Sequence, residues 1–174
     1  MKKVIVLSLI LLGLISNAII AQLPGKVNVG IGGGLDYGGL GGQLSFYPAP
    51  RIGLFGGLGY NLNSVGYNVG AQLNFPNDKR VNFHLAAMYG YNAVMRVEYA
   101  GTGTVTKTTY YGPSVAAGVI FKSRRTDKAY LNLELILPFR SQEYHDAIDN
   151  YKAQGSDVLA LPIAFSIAYH FKLY

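Results

Sequence analysis

From Val81 to Tyr99 the chain alternates with a period of two: Val81, Phe83, Leu85, Ala87, Tyr89, Tyr91, Ala93, Met95, Val97 and Tyr99 share one parity. The other parity holds Asn82, His84, Ala86, Met88, Gly90, Asn92, Val94, Arg96 and Glu98, mostly small or polar residues. Successive side chains of a strand point to opposite faces, so the pattern predicts one long strand with an apolar and a polar side. Soluble sheets usually use strands of about five or six residues, and this one is long enough to cross a membrane. A sheet in lipid cannot leave backbone donors and acceptors unpaired at its edges, so strands of this kind predict a closed barrel.

Residues 1–21 have the form of a cleavable secretory signal: Lys2 and Lys3, an apolar stretch from Val4 to Ile15, and small residues up to Ala21. Cleavage after Ala21 leaves 22–174 as one domain, a length close to what eight strands and their connections require. A secreted chain that spans lipid with strands points to the bacterial outer membrane, with both termini in the periplasm. The formal charge of +6 falls to about +4 without Lys2 and Lys3, spread over turns instead of gathered in one tract, which gives no support to nucleic-acid binding. No cysteine is present, so packing is expected from barrel closure and not from disulfides.

Strands are predicted near 27–37, 40–48, 51–62, 65–75, 81–99, 106–122, 129–140 and 158–173, an all-β, eight-stranded antiparallel up-and-down transmembrane β-barrel. The second, fourth and sixth connections are compact and rich in Pro, Asn, Asp or charge, as tight periplasmic turns are. Phe46, Phe75, Phe83, Phe121 and Phe171 fall at the strand ends on that side, and Tyr37, Tyr60, Tyr67, Tyr99, Tyr110 and Tyr111 at the other, predicting two aromatic belts. In the last strand Leu161, Ile163, Phe165, Ile167, Tyr169, Phe171 and Leu173 share one face. With that strand the chain resembles the small eight-stranded outer-membrane barrels of the OmpX and OmpA-domain type. The resemblance covers the mature chain and implies contact with outer-membrane lipid and recognition by the barrel-assembly machinery. The in-phase final position is Leu173, with the aromatic Tyr174 one residue beyond it. The peptidoglycan-binding domain of some relatives has no counterpart, and its function is not carried over.

Eight strands enclose an interior roughly filled by side chains, so an open pore is not expected. Gly30, Gly32, Gly34, Gly41, Gly53, Gly57, Gly59, Gly66 and Gly70 fall on the inward parity and leave room for bulkier groups opposite. Gln72, Asn82, His84, Asn92, Arg96, Glu98, Lys122, Glu134, Arg140 and His170 are predicted to form a polar lumen network, since buried charges need partners. A catalytic reading finds Ser141, Glu143, His145 and Asp146 together in one loop, where a solvated face explains them. Ser166 and His170, four residues apart on a strand, stand about 13 Å apart, too far for direct proton transfer. The three histidines have no metal-ligand spacing, and the Gly32–Gly34 run lacks the lysine and helix of a phosphate loop. No enzyme activity, metal or cofactor is expected.

The connection Ser141–Asp157 carries mixed aromatic and charged residues, and Tyr144–Ala153 could form a short amphipathic helix. Tyr144, His145, Tyr151 and Lys152 are its candidates for contact with an extracellular ligand or surface partner. The expected function is a non-catalytic outer-membrane barrel with an envelope-structural or surface-interaction role. The alternatives are a narrow, porin-like channel or small-ligand transporter, and a secreted lipocalin-like ligand-binding barrel. The last would need a charge-rich water-facing surface, whereas here the charges gather at turns.

Overall fold

The computed structural model describes residues 26–98, 105–153 and 161–173. The signal segment and its cleavage point, Tyr99 and Tyr174 lie outside them. Eight strands follow one another as β1 (Lys26–Gly34), β2 (Gly39–Ala49), β3 (Ile52–Tyr60), β4 (Val65–Phe75), β5 (Val81–Glu98), β6 (Val105–Lys122), β7 (Ala129–Pro138) and β8 (Ala164–Lys172). Each pairs antiparallel with its sequence neighbour, and β1 pairs with β8, for example Gly30 with His170, so the barrel closes with no free edge. Among the described residues one helix, α1 (Gln142–Ala153), sits in the β7–β8 connection.

Period-two alternation sorts the wall. On β7, Asn132, Glu134 and Ile136 are buried inside while Leu133, Leu135 and Leu137 face out. The outer surface is apolar: Ile31, Leu58 and Phe165 are 67%, 62% and 72% exposed. A soluble protein would hide such a surface, and lipid is the solvent that suits it. Phe75 pairs with Phe83, and Val81 with Phe121, so these rings share the end of the barrel that carries the termini. Tyr60, Tyr67 and Tyr111 are exposed at the other end, where the Tyr67 and Tyr111 ring centroids stand 5.2 Å apart.

Three departures from the expected layout have physical causes. First, β1 stops at Gly34, and the turn 35–38 folds into the lumen, burying Leu35, Asp36 and Tyr37 at 6%, 0% and 0% exposure. Tyr37 therefore leaves the outer belt. The turn is closed by the Gly38 amide donating to the Leu35 carbonyl at 3.0 Å, with Gly38 at φ 69°, a conformation favouring glycine. Gly57 makes room for it, since a Cβ there would overlap the Asp36 carbonyl oxygen.

Second, a bulge between Tyr91 and Ala93 shifts the β5–β6 register. The parity of β5 changes there, and Ala93 and Met95, expected outside, are buried. The inward placement of Arg96 and Glu98 assumed an unbroken alternation; their side chains lie outside the described residues. Third, β8 begins at Ala164, so Leu161 and Ile163 are exposed but precede the strand.

β4 accompanies β5 only to Gly90, and β7 accompanies β6 only to Ser114, so the β5–β6 hairpin extends past the barrel rim. α1 packs against this extension: Tyr144 and Ile148 form a buried cluster with Ala93, Met95 and Tyr110, which takes Tyr110 out of the outer belt as well. The helix forms because Tyr144, Ile148 and Tyr151 recur on one face, Glu143 occupies the first turn and Lys152 the last.

An outward leucine near the middle of the wall is a direct test of the lipid-facing assignment. Leu135→Arg should destabilise the barrel in bilayers by about 2–4 kcal/mol, read as a lowered urea midpoint. An unchanged midpoint would contradict that assignment.

Candidate functional site

The lumen holds the largest concentration of buried polar side chains. Its centre is one transverse row across four strands: His84 on β5 faces Gly118 on β6, Gly118 faces Glu134 on β7, and Glu134 faces Ser166 on β8. Because Gly118 has no side chain, His84 reaches across β6 and its Nε2 lies 2.9 Å from Glu134 Oε1. A Cβ on Gly118 would overlap the His84 ring. Asn132 Nδ2 donates to the same carboxylate oxygen at 2.6 Å. Both ends of this pair are buried, so the contact offsets part of the solvation each has lost, while His84 Nδ1 and Glu134 Oε2 have no hydrogen-bond partner.

Nearer the termini, His170 on β8 lies over Gly30 and is held by two tyrosines. The Tyr130 ring stacks on it with centroids 4.8 Å apart, and the Tyr37 hydroxyl from the inward turn meets its Nε2. Gln43 Nε2 donates to Asp36 Oδ2 at 3.2 Å, and Ser45 Oγ donates to Gln43 Oε1 at 3.2 Å. Below this layer Asn28 Nδ2 donates to the Tyr130 hydroxyl at 3.0 Å, Tyr47 and Tyr130 hydroxyls stand 3.3 Å apart, and Gln72 Nε2 reaches Tyr47 at 3.0 Å. Above it Asn68 Nδ2 holds the turn by donating to the Leu35 carbonyl at 2.6 Å, and Asn92 Nδ2 donates to Ser114 Oγ at 3.1 Å. Hydrogen bonds thus cross the lumen at successive levels.

The residues singled out from sequence divide into four groups. Gln72, His84, Asn92, Glu134 and His170 are buried in the lumen. Asn82 and Lys122 line its mouth at the termini end, where Lys122 Nζ also donates to the Asn77 carbonyl at 2.8 Å. Arg140 departs from expectation: it lies beyond β7, with its guanidinium carbon 4.8 Å above the Tyr144 ring, and belongs to the platform outside the barrel. Arg96 and Glu98 are the residues past the bulge.

On α1, Tyr144 is spent on packing, at 6% exposure with an edge-to-face contact to Tyr110, so it offers no free surface to a partner. His145 and Lys152 are exposed, and Tyr151 is half-buried on the rim of the seam. The Ser141–Asp146 group is the first turn of the helix, with the Tyr144 amide donating to Ser141 Oγ at 3.4 Å and Gln142 Nε2 to Asp146 Oδ1 at 2.9 Å. Asp36, Tyr37, Tyr47, Asn68, Tyr130 and Asn132 belong to the lumen and were not among the residues predicted for it. For Tyr130 the signal was present, because it shares the parity of Asn132 and Glu134. Among the described residues no group of three or more His, Cys, Asp or Glu side chains converges as a metal site.

Glu134→Gln keeps the volume and removes the charge that faces His84. It should lower the unfolding free energy by about 1–3 kcal/mol, measured by urea titration in lipid vesicles; an unchanged midpoint would show that the pair contributes no stability.

No protein-family model and no curated protein sequence matches the chain. Solved structures that share its architecture include two β-barrels. One is the N-terminal β-barrel domain of Pseudomonas aeruginosa OprF, at TM-score 0.55 and 10% identity, covering 86% of this chain and 98% of that one. The other is a de novo designed transmembrane β-barrel, at TM-score 0.52 and 16% identity, covering 87% and 98%. At such identities the likeness is one of fold. With the closed sheet, the apolar outer wall and the polar interior, it establishes the chain as an eight-stranded transmembrane β-barrel.

Proposed function

We propose that this is a non-catalytic barrel of the bacterial outer membrane that holds the β5–β6 extension and α1 at the cell surface, in an envelope-structural or surface-interaction role. The observation that carries this reading is the division of the molecule into a plugged wall and a separate outer platform. The lumen is occupied by the turn 35–38 and by bonded side chains at each level, an arrangement that favours anchoring over conduction. The platform has its own buried cluster, built from the extension and the helix beyond the rim. Exposed His145 and Lys152, with the edge of Tyr151, supply its polar outer face. The partners in this reading are outer-membrane lipid around the wall, the barrel-assembly machinery during insertion, and an extracellular ligand or surface protein at the platform. The apolar outer wall weighs against a secreted lipocalin-like barrel.

Orientation and closure have separate tests. Because the chain lacks cysteine, Lys152→Cys on α1 and Lys79→Cys in the β4–β5 turn each carry a single thiol. A membrane-impermeant maleimide should label Lys152→Cys in intact cells and Lys79→Cys only after the outer membrane is permeabilised. The reverse pattern would place the platform in the periplasm. In planar bilayers the purified barrel should give no steady pore conductance, and a stable open level would favour the narrow-channel alternative instead.

A further inference from the structure

The end of the barrel that carries the termini concentrates positive charge. The turn 76–80 carries Lys79 and Arg80 against Asp78, and the turn 123–128 carries Arg124, Arg125 and Lys128 against Asp127. With Arg51 and three lysines at strand ends, the side chains of the described residues make nine cations against two carboxylates around one rim. Charges dispersed along the sequence are thus gathered in space by the hairpin topology.

The three lysines are Lys26 on β1, Lys122 on β6 and Lys172 on β8. Lys26 shares the inward parity of Asn28, Lys122 that of Gly118, and Lys172 that of His170. Together with Asn82, Tyr47 and Tyr130 they line a cavity of about 290 Å3 that opens at this mouth. Among the described residues no carboxylate lines it, and none lies within ion-pair distance of these lysines. The charged groups that face Lys172 are Lys26, Asp127 on the turn 123–128 and Lys122, so two like charges act on it against one carboxylate. The bonded Asn28, Tyr47 and Tyr130 side chains form the cavity's floor, so it is a blind pocket and not the entrance to a pore.

We propose that this pocket binds a phosphate group. Three ammonium groups brought to one mouth repel each other unless an anion joins them, and the rim's field concentrates anions there. A phosphate fits better than a carboxylate. Its several oxygens can accept from more than one ammonium at once, and a dianion balances more of the charge. Lys122 keeps protons for this purpose besides the one given to Asn77. The pocket stands beside the phenylalanine belt, since Phe121 precedes Lys122 and Phe171 precedes Lys172. It is therefore within reach both of lipid headgroups at the interface and of free phosphate in the water beyond. The inference does not depend on which side of the membrane this end faces.

The test is calorimetric titration of the folded barrel in zwitterionic detergent, with ionic strength held constant by chloride. One arm uses inorganic phosphate and the other dihexanoyl-phosphatidic acid, a phosphomonoester that can likewise be dianionic; whichever binds identifies the source. Saturable binding at one site is expected. Lys26→Gln with Lys172→Gln should weaken it about tenfold or more, the scale of a lost charge-assisted hydrogen bond. Arg124→Gln with Arg125→Gln, which removes the same charge from a turn outside the pocket, should change it less than about threefold. Equal losses in the two double variants would overturn the pocket in favour of the general field of the rim. Absence of saturable binding in both arms, measurable on the unaltered chain alone, would overturn the proposal outright.

Discussion

The structure depends on the pairing of β1 with β8. In lipid an unpaired backbone amide or carbonyl costs several kcal/mol, so a sheet of seven or eight strands with open edges has no stable place there. Closure removes both edges together. It also forces the two halves of the alternation apart, one onto a lipid-facing wall and the other into an interior just wide enough for side chains to fill.

The interior solves its packing problem asymmetrically. The early strands are rich in glycine on their inward side, and the space they leave admits an entire chain reversal, Leu35 to Gly38, which a wall of ordinary side chains would exclude. The later strands supply His84, Tyr130, Glu134 and His170, which reach across that space. Gly118 plays the same part within β6, standing aside so that a histidine and a glutamate two strands apart can meet. Closure, plug and network are therefore one arrangement, and the wall left with no internal demand on it is free to match the lipid. The parts beyond the rim follow different rules: there α1 and the hairpin extension bury their own apolar seam, as any water-exposed pair of elements must.

Strand number, the compact turns at the termini end and the phenylalanine belt were legible because they follow from local periodicity and turn chemistry. So was the helix near Tyr144, from its spacing. The inward turn was not, since Leu35, Asp36 and Tyr37 continue the β1 alternation and only the space opposite Gly57 decides that they fold inside. The bulge at Asn92 was also hidden, because Ala93 and Met95 are apolar and suit an outward face in lipid as well as an inward seam under α1. His84 and Glu134 could be placed on the inward face from parity, but their pairing needed the barrel register, 50 residues apart in sequence. Arg140 was drawn into the lumen by extending β7 two residues too far.

The central claim, a closed barrel resident in a membrane, is tested most directly by gel mobility of the protein from an isolated outer-membrane fraction, with and without boiling. A barrel whose edges are paired all round resists detergent until heated, so the unboiled sample should migrate differently from the boiled one. Identical mobility of the two samples, with the protein recovered in the soluble fraction, would contradict a membrane-resident closed barrel.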